Sequence, residues 1–99
     1  MQLSEKQKRH LRGLGHSLKP VVMMGNAGLS DAVLAEVSRA LDDHELIKVR
    51  ARVGDRQVRD ETIALLCEKS DASLIQRIGN VALVYRPNPD KQNIALPRS

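Results

Sequence analysis

Aromatic residues are nearly missing from this sequence: Tyr85 stands alone, with no Phe and no Trp. A core built here must therefore be aliphatic. The absence also bears on ligands, because domains that stack unpaired nucleobases on an open surface use Phe, Tyr or Trp to do so. A lone tyrosine is better suited to packing, half-buried with its hydroxyl partnered. Cysteine is as scarce. Cys67 is the only one, so no internal disulfide can form, in keeping with a reducing compartment. No apolar run approaches the roughly 20 residues of a membrane span. The stretch 1–10 is polar and charged, without the apolar segment of a signal peptide. Together these absences point to a cytoplasmic protein with no membrane partner.

What is present suits one compact domain of 99 residues, 41% of them apolar, which argues against wholesale disorder. The net charge of +4 favours a polyanionic partner. The charge is also polarised. Residues 1–19 carry five basic side chains against one acidic, and residues 46–60 carry five against two. Residues 29–45 reverse this, with five acidic and one basic.

Hydrophobic spacing predicts seven elements in the order α-β-α-β-α-β-β. Ser4 and Gln7 form a capping-box pattern ahead of a helix that reaches Leu14 or Leu18. Residues 20–24, Pro-Val-Val-Met-Met, read as a short buried strand with Pro20 at its tolerated first position. Ser30 is a candidate N-cap for a second helix, with Asp31 in its first turn. Residues 46–53 alternate, with Ile47, Val49, Ala51 and Val53 on one side and Lys48, Arg50 and Arg52 on the other. A third helix follows Gly54-Asp55 and runs to about Lys69. Gly79-Asn80 separates strands at 73–78 and 81–86, as in a two-residue hairpin. Alternating strands and helices imply an α/β fold with a parallel start, and the hairpin makes its four-stranded sheet mixed. Residues 1–87 form the expected domain and 88–99 a C-terminal extension or tail, turn-like over 88–93 and extended or loose over 94–99.

The loop Gly25-Asn26-Ala27-Gly28 interrupts this pattern between a strand and a helix start. Glycines there allow close backbone approach, and the N–H groups of a helix start suit phosphate. Taken alone, a bare G-x-x-G loop is more often an ordinary tight turn than a site. It has neither the spacing and lysine of a P-loop nor the dinucleotide fingerprint, so nucleotide hydrolysis is poorly supported. The basic side chains Lys6, Arg9, Arg12 and Lys19, with Lys48, Arg50 and Arg52 on one strand face, are candidates for contacts to phosphates. Solvated charge is the usual alternative for any one of them. His10, His16 and His44 lack metal-ligand spacing, which predicts no metal. Cys67 falls on an apolar helix side, as a packed thiol does. Asp42, Asp43 and Glu45 read as a solvated helix end. No clustered catalytic set emerges, and no cofactor or small-molecule substrate is implied.

Three stretches carry a family resemblance: LSEKQKRHLRGLGHSLKPVVMMGNAGLS at 3–30, HELIKVR at 44–50 and RIGNVALVYR at 77–86. In these the chain resembles the CRM domain (chloroplast RNA splicing and ribosome maturation), most closely its free-standing bacterial YhbY type. The resemblance implies a fold similar to the C-terminal domain of translation initiation factor 3. It implies RNA binding through the G-x-x-G loop at Gly25–Gly28, helped by nearby basic residues. For stand-alone bacterial members it implies association with precursors of the large (50S) ribosomal subunit, hence structured ribosomal RNA and the pre-ribosomal particle as partners. Many members carry a basic residue inside the loop where this chain has Asn26-Ala27, which shifts the charge to flanking residues. Pro87 likewise stands where many relatives have Gly. A bulky acidic residue at Gly28 is expected to weaken RNA binding and spare the fold. A protein-interaction module docking through the acidic second helix is the competing expectation.

Overall fold

The computed structural model describes residues 2–98; Met1 and Ser99, the outer limits of the expected domain and tail, lie outside the described residues. Seven elements follow in the expected order: α1 (Glu5–Gly15), β1 (Pro20–Met24), α2 (Asp31–His44), β2 (Leu46–Ala51), α3 (Arg56–Ser70), β3 (Ser73–Ile78) and β4 (Val81–Tyr85). Ser4 caps α1 in a reciprocal box with Gln7, and Ser30 and Asp55 cap α2 and α3. Each cap satisfies an N–H that the helix start leaves without a partner.

The sheet order is β1-β2-β4-β3. β1 and β2 are parallel, while β4 runs antiparallel to both its neighbours. The tight Gly79-Asn80 turn brings β4 back between β2 and β3. The crossovers from β1 to β2 and from β2 to β3 therefore advance in the same direction across the sheet. Right-handed connections then put α2 and α3 on one face. Val37 and Leu41 of α2 and Ile63, Leu66 and Cys67 of α3 pack there on Val22, Met24, Ile47, Val49, Ala51, Ala82 and Val84.

The other face belongs to α1. Leu11, fully buried, meets Leu46, Ile75, Leu83 and Tyr85 in a second, smaller core. Gly15 lets the helix end sit against β4, because a Cβ there would stand 2.6 Å from Leu83 Cδ2. An 11-residue helix spans only about 16 Å, so α1 covers part of a four-stranded face. Tyr85 is fully buried rather than half-buried, at 2% exposure.

Two expectations are corrected. The segment after Pro87 turns at residues 89–90 as expected and forms no helix or strand, but its last part is not loose. Ile94 and Leu96 pack on the α1-side core, and Gln7 Nε2 donates to the Pro97 carbonyl at 3.0 Å. Glu45 holds this segment and is not solvated: it is fully buried at the end of α2. Its carboxylate accepts the backbone N–H groups of Asn88 (2.7 Å), Asn93 (2.6 Å) and Ile94 (2.8 Å). A buried carboxylate is tolerable when several donors replace its water.

Candidate nucleic-acid interface

β1 ends at Met24, whose carbonyl accepts the N–H of Arg52 at 2.8 Å. The chain leaves the sheet there as a compact turn, in which Gly28 N–H donates to the Gly25 carbonyl at 2.9 Å. Gly28 has φ +75°, in the left-handed region that favours glycine. This alters the expected substitution test, since any side chain at Gly28 strains the backbone. Gly25 has open space where a Cβ would stand and no such constraint.

The turn is close to a helix start without being part of it. Leu29 packs on the core and Ser30 caps α2 before the first helical residue, Asp31. Asp31 adds a negative charge to the first turn, which opposes anion binding at the helix end itself. The N–H groups of Asn26 and Ala27 make no hydrogen bond among the described residues, and both residues are exposed. These donors, with the Asn26 amide, are what the turn offers a phosphate.

The strand pairing shows how the basic residues meet. Lys48 lies opposite Leu83, and Leu83 opposite Gln76; Arg50 lies opposite Val81, and Val81 opposite Ile78. Alternation sends Ile47, Val49 and Ala51 toward α2 and α3, and Leu46, Lys48 and Arg50 to the α1 side. Lys48 and Arg50 thus line a cleft on the part of the face that α1 leaves open, with His16 at the helix end. Arg9 and Arg12 flank an adjoining groove that also reaches His16, Gln76 and Ile78. No acidic residue lines either depression.

The structure therefore brings Arg9, Arg12, Lys48 and Arg50 to one face, with Arg52 exposed at the base of the turn. Lys6 is exposed on α1 and lines neither depression. Lys19 lies elsewhere, in a groove with Leu14, Leu18 and Val21 on the β1 side. The acidic α2 is on the opposite face of the sheet. Arg77, by contrast, is tied to Asp60 of α3 at 2.6 Å. Arg86 donates to the Ser70 and Ser38 carbonyls and to Asp42 at 2.7 Å, so it joins the two helices instead of facing a ligand.

His16 and Gln76 belong to this site without having been singled out for it in the sequence. The only sequence-level hint for Gln76 is its place one residue before the basic end of a strand. Its exposure to the cleft depends on a bulge between Leu74 and Gln76. Ile75 and Gln76 consequently both serve the α1 side, one in the core and one in the cleft.

Cys67 is remote from this face, and burial pushes its thiol from 9.0 up to about 11, away from nucleophilic use. Tyr85 is likewise raised, first by burial and then by the charge of Glu45. Among the described residues, no group of three or more His, Cys, Asp or Glu is placed to hold a metal. No helix there is long and apolar enough to cross a membrane.

Residues 3–86 match the CRS1/YhbY (CRM) domain family. A Pseudomonas aeruginosa protein named "Probable RNA-binding protein" is 47% identical over 89 residues, covering 90% of this chain and 86% of its own. A Haemophilus influenzae protein named "RNA-binding protein" is 45% identical over 96 residues, covering 97% and 96%. The solution structure of a Staphylococcus aureus protein superposes with a TM-score of 0.84 at 31% identity, over 97% of this chain and all of that one.

Proposed function

Because the chain belongs to the CRS1/YhbY (CRM) domain family, we propose that it is a non-enzymatic RNA-binding protein that holds the RNA backbone with the turn Gly25–Gly28 and the basic α1-side face. We further propose that its RNA lies in the precursor of the large ribosomal subunit, and that it acts in the cytoplasm as an assembly factor. The convergence of Arg9, Arg12, Lys48 and Arg50 on one face, with no acidic residue lining either depression, is the observation that carries the reading. RNA-binding names on close relatives support it. The ribosomal assignment rests on the resemblance to stand-alone bacterial members.

The turn supplies backbone donors and a neutral amide, and the four cations supply charge. Such a surface grips phosphates and neutralises them, releasing counterions from the RNA. The competing reading, docking through the acidic second helix, is weakened by where its charges go. Glu45 is buried on the tail and Asp42 is paired with Arg86, which leaves Asp31, Glu36 and Asp43 as its other exposed acids.

Crosslinking in cells, followed by sequencing of the attached RNA, tests the proposal. Large-subunit precursor fragments are expected, and fragments from messenger RNA alone overturn the ribosomal part. In solution, four phosphate contacts give a slope of about −3 for log K against log salt on a single strand. A flat salt response overturns the basic-face assignment.

A further inference from the structure

The cleft beside Lys48 and Arg50 is not merely charged. Two rows of side chains line it: Pro20, Lys48, Leu83 and Gln76 in one, and Arg50, Val81 and Ile78 in the other, with Met23 next to Arg50 just outside the cleft. Each row holds one cation beside apolar groups. Ile78 is 68% exposed and Met23 56%, which is high for large apolar side chains beside a core. The depression measures about 310 Å³, at the lower end of small-molecule pockets.

Phosphate binding requires no apolar floor. Charge alone suffices for a backbone, and hydration makes exposed isoleucine and methionine unfavourable neighbours for it. An aliphatic floor with cations at its margin and one amide at its wall matches a different unit. That unit is a planar apolar ring with hydrogen-bonding edges, joined to an anion, which describes a nucleotide unit whose base is unpaired. Gln76 carries both a donor and an acceptor on one planar amide, so it can address a base edge. A base inside a duplex has its faces stacked and its pairing edge occupied, and it cannot lie on this floor.

We infer that the open half of the sheet takes one unpaired nucleotide of the RNA. Its base lies on Val81 and Ile78, its edge meets Gln76, and its phosphates meet Lys48 and Arg50. The inference rests on the RNA-binding reading and adds what the turn does not supply: a means of choosing among sites. The absence of surface aromatics is then no bar to base recognition, because aliphatic contact replaces stacking. It also explains why a structured RNA suits the surface: helices present backbone to the turn and α1, and a bulge or loop presents the free base.

The probes are an RNA hairpin without a bulge and four copies of it that each carry one bulged nucleotide. Wild-type protein is expected to bind at least one bulged hairpin about tenfold tighter than the plain one, a difference of about 1.4 kcal/mol. Gln76→Ala and Ile78→Ser, both at sites open to solvent or cleft, are expected to cut that preference about three- to tenfold. Affinity for the plain hairpin should fall less than affinity for the bulged one, with unchanged thermal melting reporting the fold. Ala27→Glu should weaken all hairpins alike. Equal binding of plain and bulged hairpins by wild-type protein overturns the inference, as does a preference that both cleft variants retain or a loss they show equally on every hairpin. Failure of wild-type protein to bind any hairpin would instead overturn the RNA-binding reading beneath it.

Discussion

The backbone N–H of Asn93 donates to Glu45 Oε1 at 2.6 Å, across 48 residues of chain. The same carboxylate receives Asn88 and Ile94, so one buried side chain closes the C-terminal segment over the α1-side core. Glu45→Ala leaves those donors without partners in a buried site and is expected to cost about 2–4 kcal/mol. Urea denaturation measures the loss. Amide exchange localises it: Asn93 and Ile94 should lose protection while Ile63, in the core of α3, keeps its own. Uniform loss across both would show that the carboxylate supports the whole domain instead of the segment.

Gly13 and Gly15 sit two residues apart near the end of α1 and should respond oppositely to alanine. At Gly15 the new Cβ meets Leu83 at 2.6 Å, forcing the helix or the leucine to move. A cost of about 1–3 kcal/mol is expected. Gly13 has nothing within 4 Å, so Gly13→Ala removes unfolded-state freedom and should stabilise by about 0.5–1 kcal/mol. Thermal melting of the two variants side by side checks the sign of each.

Ala27→Glu is the clean probe of the turn, because Ala27 is exposed and in no strained conformation. Melting should stay within about 0.5 kcal/mol of wild type, with RNA affinity falling at least about tenfold through like-charge repulsion. Gly28→Ala is expected to cost roughly 1–2 kcal/mol of stability, because its φ of +75° crowds a Cβ. If Ala27→Glu binds RNA as wild type does, the turn is not a contact.

The Cys67 thiol sets a limit at alkaline pH. In the unfolded chain it ionises near its ordinary value of 9.0, whereas burial holds the folded thiol to about 11. The folded state therefore keeps a proton that the unfolded state gives up. The stability this protonation preserves is intact below pH 9 and is lost as pH rises through 11, by about 2–3 kcal/mol. Tyr85, raised in the same direction, adds to the loss above its ordinary value of 10.0. Urea midpoints at pH 8 and pH 10.5 should differ less in Cys67→Ala than in wild type. Equal differences would show that the thiol does not contribute.

The local plan of the molecule was legible in the chain. Caps at Ser4 and Ser30, the break at Gly54-Asp55, the alternation from Leu46 to Ala51 and the Gly79-Asn80 turn each act within a few residues. Element order and the inner face of β2 followed from them. The burial of Glu45 was not legible, since its acceptors' partners lie more than 40 residues away and a glutamate beside two aspartates reads as solvated. The same holds for the cleft. Lys48 and Arg50 show in the alternation, but their meeting with Gln76 and Ile78 depends on β4 entering between β2 and β3 and on one bulge.

The sequence by itself thus determined the seven elements, the aliphatic core and the separation of basic from acidic segments, because periodicity, caps and composition act locally. Only the tertiary structure decided which strands are neighbours, which carboxylate is buried and how much of the sheet one short helix leaves open. Those depend on long-range pairing and on the space remaining once both crossovers have taken the other face.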